Sequence, residues 1–107
     1  MIKKPECKDI IQVVLPAVRA SVAEELHSKH GYSQEQIANK LGVVQVAISK
    51  YLHGKYSKDI LRMKKYILQQ GLSDNIVKRV LKSNDRKQID NQIDELCDRL
   101  VAVETIK

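Results

Sequence analysis

Gln45, Val46, Ser49 and Lys50 lie within six positions of one another, at spacings that put them on one side of a helix. At about 100° per residue and with Gln45 at zero, Ser49, His53, Val46 and Lys50 fall at roughly 40°, 80°, 100° and 140°. A glutamine carboxamide can pair bidentately with adenine, and a lysine can donate to guanine. A valine methyl can pack on the thymine methyl, and a serine hydroxyl can serve base or phosphate. No competing catalytic set appears. The chain has three His and scattered Asp and Glu, with no Gly-rich phosphate loop, Cys–His nucleophile pattern or HExxH. No catalytic residue, metal ligand, cofactor or small-molecule ligand is expected.

The elements that must position these four residues are two short helices around a glycine. Ser33 opens the first, over about 33–41, with a capping box: its hydroxyl accepts from the Gln36 amide and the Gln36 side chain reaches back. Gly42 ends it, supplying the left-handed backbone of a tight corner. The second helix spans about 44–53. Its other arc, Val44, Ala47, Ile48, Tyr51 and Leu52, is expected to bury against Ile37, Ala38 and Leu41, with Ala38 at the crossing. The loop 53–58 follows, in which Lys55, Lys58 and the Tyr56 hydroxyl can reach phosphates; the alternative is a solvated turn.

Charge is concentrated around this unit. The chain has 107 residues and a net charge of +6, and residues 29–65, with eight bases against two acids, carry all of that excess. Localised positive charge favours a polyanionic partner. The chain has four Tyr but no Trp or Phe, so stacking of single-stranded bases is poorly supported. Cys7 and Cys97 stand near opposite ends without metal-ligand spacing and read as reduced thiols. No apolar run approaches the roughly 20 residues that span a bilayer. The start Met1-Ile2-Lys3-Lys4-Pro5 lacks a signal-peptide core, so a cytoplasmic location is expected, with no membrane partner.

Every strongly periodic segment is helical. From Pro5 to Lys29, Ile11, Val14, Leu15, Val18, Val22 and Leu26 recur at threes and fours, and Pro16 is expected to break or kink the run, preferably by starting a second helix. A helix over 59–70 turns Ile60, Leu61, Met63, Ile67 and Leu68 inward. Ser73 caps another, whose Ile76, Val77, Val80 and Leu81 face the core. The last helix, about 86–105, carries Ile89, Ile93, Leu96, Leu100 and Val103 in a heptad pattern that either covers the domain's own core or pairs with a second copy. The expected fold is all-α, a five- to six-helix unit in one domain. Residues 1–58 hold the N-terminal helices and the two-helix motif, and 59–107 form a helical extension.

The motif resembles the helix–turn–helix of the Cro/phage-repressor-like transcription regulators, on Gln34, Ala38, Gly42, Ile48 and Tyr51 in their characteristic spacing. The stretch from Leu15-Pro16-Ala17-Val18-Arg19 to Ser49-Lys50-Tyr51-Leu52-His53-Gly54 is similar to the DNA-binding part of a group of archaeal predicted regulators. Some of these fuse it to a thiamine-phosphate synthase-like domain, for which 107 residues leave no room. The resemblance implies a lambda-repressor-like domain that binds double-stranded DNA. By position, Gln45, Val46, Ser49 and Lys50 match base-contacting residues of the recognition helix and Gln34 a phosphate-contacting one. With His53, Lys55, Tyr56 and Lys58 as further phosphate contacts, the expectation is a homodimeric, sequence-specific transcription regulator. The alternative is an antitoxin-like or adaptor module that holds a partner through the C-terminal heptad stripe.

Overall fold

The computed structural model describes residues 7–83 and 85–106, with side chains over 12–83 and 85–101. Six helices run in order: α1 Cys7–His30, α2 Gln34–Leu41, α3 Gln45–His53, α4 Lys58–Gln70, α5 Asp74–Lys82 and α6 Arg86–Ile106. No strand occurs among the described residues, and the fold is all-α.

α1 is the hub, because every other helix packs against it. Val14, Ala17, Val18, Ala20, Val22, Ala23 and Leu26 are fully enclosed, so α1 is covered well beyond the single expected stripe. The alanines let neighbours approach closely. Ser21 survives in this interior by donating to the Ala17 carbonyl at 2.7 Å, which satisfies its hydroxyl. Residues from both halves of the chain, Ile37 and Ile48 as well as Ile67, Ile76, Ile89 and Ile93, share one core.

Pro16 does not divide this helix. α1 is continuous through it, contrary to the expected break. A proline inside a helix costs about 3 kcal/mol through a lost hydrogen bond and a clash one turn back, and enclosure by five helices outweighs that. The carbonyl deprived of its donor belongs to Gln12, an exposed residue whose backbone water can reach. Gly31, at φ 70°, ends the helix, and the Tyr32 amide closes back on the Leu26 carbonyl at 3.0 Å.

Several sequence expectations change once packing is visible. Val44 is 71% exposed: it is the extended N-cap of α3, so the helical wheel that placed it inward does not apply to it. Leu61 and Leu81, also expected inward, are 38% and 40% exposed, at the edges of their helices' apolar arcs. Ser73 makes no cap hydrogen bond and is αR; its hydroxyl instead donates to Glu25 Oε1, tying α5 to α1 through two buried polar groups. On α6, Ile89, Ile93, Leu96 and Leu100 are 0–5% exposed within the chain's own core. Of the two roles open to this stripe, these four residues take the first, covering the domain's own core against α1 rather than facing a second copy. The side chains of Cys7, Ile11 and Val103 lie outside the described residues.

Candidate nucleic-acid interface

The two-helix unit is built by local signals. Gln36 receives the Ser33 amide on its Oε1 at 2.9 Å, and the Ser33 hydroxyl receives the Gln36 amide at 3.1 Å, completing the capping box. Gly42 then adopts φ 68°, and the Val43 amide reaches the Ala38 carbonyl at 3.1 Å. Ile37, Ala38 and Leu41 of α2 are buried, and α3 packs on α2 and α1 through fully buried Ile48 and half-buried Ala47, Tyr51 and Leu52.

This packing leaves one side of α3 uncovered. Gln45, Val46, Lys50 and His53 are exposed and Ser49 is half-buried, so the structure brings these side chains together on the outward face. Val44 joins them. It and Val46, 65% exposed, flank Gln45 with bare methyl groups. No side chain caps the start of α3. His53 is fixed at the other end: its Nδ1 lies 2.7 Å from the Ser49 carbonyl. A carbonyl only accepts, so Nδ1 carries the proton in that bond and Nε2 remains available.

The flanking residues divide. Gln34 is half-buried at the start of α2, Lys55 is exposed in the turn after α3, and Lys58 is exposed at the start of α4. Tyr56 does not join them. Its hydroxyl is buried beside the Lys64 ammonium rather than open to a ligand, so the expected phosphate contact is corrected. The ring has turned inward under the Lys64 ammonium, 5.8 Å from its centroid, a cation–π arrangement.

Lys64 likewise leaves the basic surface. It is 7% exposed, and its Nζ lies 2.7 Å from Glu24 Oε1. Burial opposes its charge, but the Glu24 carboxylate and, after it, the Tyr56 hydroxyl outweigh burial and hold the ammonium pKa above the usual lysine value. Arg19 Nε is buried without a hydrogen-bond partner among the described residues. A pair 40 positions apart has no local sequence signal. Cys97 is free and buried, and burial, with Asp94 adding to it, pushes its thiol pKa up to about 11, a thiol of low reactivity. Among the described residues no group of His, Cys, Asp or Glu is arranged to hold a metal ion, and no helix is long and apolar enough to cross a membrane.

No curated protein and no solved structure matches this chain. Residues 25–73, running from the end of α1 through α2, α3 and α4, do match the helix-turn-helix family model, which places a helix–turn–helix of the DNA-binding, transcription-regulating kind within this all-α fold.

Proposed function

We propose that the chain is a sequence-specific double-stranded DNA-binding transcription regulator of the cytoplasm that lays α3 in the major groove and acts as a homodimer. The carrying observation is the division of α3. Ile48 is fully buried while Val44 and Val46 are 71% and 65% exposed around Gln45. An apolar side chain left bare beside amide, hydroxyl and ammonium groups matches a thymine methyl beside base-edge donors and acceptors.

In this reading Gln45, Val46, Ser49 and Lys50 contact bases, with Val44 added at the helix start. Gln34, His53, Lys55 and Lys58 position the domain on phosphates. Two copies set their recognition helices in successive major grooves, about 34 Å apart, through a surface other than the enclosed α6 stripe. The adaptor alternative loses support for the same reason, since the stripe it required is inside the core.

Selection of bound duplexes from a random DNA pool tests this. An enriched inverted repeat is expected, and no enrichment would refute sequence reading. Binding to the selected duplex should then fall on the order of 10- to 100-fold for each of Gln45→Ala and Lys50→Ala, at about 1–3 kcal/mol per lost base contact. Thermal stability should stay unchanged, because both side chains are exposed.

A further inference from the structure

Arg86 begins α6, beyond the matched residues 25–73, and its side chain lies across the corner between α2 and α3. A Cβ placed on Gly42 would stand 2.6 Å from Arg86 Cδ, 2.8 Å from Nη1 and 3.0 Å from Nε. The stem is therefore laid flat on backbone that carries no side chain of its own. An open groove of about 330 Å³ adjoins it, lined by Tyr32, Gln36, Asn39, Lys40 and Arg86. No carboxylate lines this groove. The acid next to Arg86 in sequence, Asp85, uses its Oδ1 to accept from the Lys87 and Gln88 amides. Arg86 itself has no hydrogen bond or ion pair among the described residues.

We propose that this groove holds a phosphate of the bound DNA, with Arg86 as its principal ligand, so that the interface extends from the helix–turn–helix onto the C-terminal helix. This rests on the DNA-binding reading above. Two lines of the geometry carry it. The lining offers the Arg86 guanidinium fork with the carboxamides of Gln36 and Asn39 beside it, a donor set matched to a phosphate. The groove also runs from Tyr32, just before the Gln34 end of α2, to the corner that leads into Val44 and Gln45. Both ends abut residues assigned to DNA, and a backbone strand passing both would pass the groove. Contact of the stem with Gly42 holds the guanidinium in place before binding, which lowers the ordering cost. An acidic protein segment would find the same charges, but neither end of the groove then has a role for it.

The test compares the full chain with Arg86→Gln and Arg86→Lys on the selected duplex and on an unrelated one, over 50 to 200 mM salt. Arg86→Gln should weaken both duplexes alike and flatten the slope of log K against log salt by about 1.8, from about 0.9 for the one phosphate held by each of the two copies. Over this fourfold range its affinity loss should then be about 12-fold smaller than that of the wild-type dimer. Arg86→Lys should keep the slope, and hydroxyl-radical protection should vanish at one backbone position in each half-site only in Arg86→Gln. An unchanged slope and footprint in Arg86→Gln, with or without weaker binding, would overturn the proposal and leave Arg86 as a residue that only steadies the corner. A wild type that binds neither duplex would overturn the DNA-binding reading as well, so the two failures are distinguishable.

Discussion

Glu24 and Lys64 are partners in one ion pair, yet replacing them should have unequal costs. The Lys64 side chain is 9% exposed and that of Glu24 41%. Glu24→Gln leaves an ammonium in a site that water scarcely reaches, facing only a neutral amide and an aromatic ring. Stranding one charge of a fully buried pair costs about 3–5 kcal/mol. The exposure of Glu24 means that solvent already screens part of the attraction, which lowers the expected cost to about 1–3 kcal/mol. Lys64→Met keeps an apolar stem of similar length beneath α1, removes the charge that was expensive to bury, and releases Glu24 to water. Its cost should stay within about 1 kcal/mol, and the double variant should follow Lys64→Met. Urea unfolding followed by helical circular dichroism at neutral pH gives the three differences directly. Lys64→Met destabilising as much as Glu24→Gln, or more, would refute the reasoning, because the pair would then be worth more than the cost of burying its ammonium.

The same pair fixes a pH dependence. The Lys64 pKa in the folded chain lies above the ordinary lysine value of 10.5, so the folded state holds this proton more tightly than the unfolded one. The contribution is complete below 10.5 and is lost as pH rises through the folded value. The stability of the wild type relative to Lys64→Met should therefore fall only in the strongly alkaline range; a fall near neutral pH would contradict the assignment. Tyr56→Phe should leave DNA affinity unchanged and change stability by no more than about 1 kcal/mol, because the deleted hydroxyl is buried beside Lys64, whose ammonium keeps Glu24 as its partner. Weaker binding in titrations of this variant would mean that the hydroxyl reaches DNA after all. Ala38→Leu, at the crossing of α2 and α3, should cost about 1–3 kcal/mol by overpacking and weaken DNA binding by shifting α3, as read by unfolding and affinity together. Leu96→Asp should lower the unfolding temperature sharply or prevent folding; a stable, folded monomer in sedimentation would show that the α6 stripe serves assembly instead.

The course of the chain around the motif was legible because its signals are local. A serine followed three residues later by glutamine, and a glycine after a last apolar residue, act through hydrogen bonds and φ preferences that span one turn. Ser33, Gln36 and Gly42 accordingly do in the structure what their spacing implies. The polar arc of α3 was equally legible, since one buried Ile48 in a nine-residue helix fixes which side faces away. Where the reading failed, the deciding term was not local. The helical wheel carried Val44 inward because it counted an N-cap as helix. Pro16 was expected to break α1 because its penalty is intrinsic, whereas the compensating enclosure is contributed by residues elsewhere in the chain.

The sequence by itself determined where helices start and stop, which face of α3 is spare and where the positive charge is concentrated, because caps, periodicity and charge are properties of neighbouring residues. Only the tertiary structure decided which side chains are used up inside. Lys64 belongs to Glu24 rather than to a phosphate, Tyr56 turns its hydroxyl inward, and the α6 stripe is covered by α1. Arg86 is brought onto Gly42 from 44 positions away. Each of these depends on desolvation and close packing between segments distant in sequence, and burial belongs to the assembled surfaces rather than to any one stretch of chain.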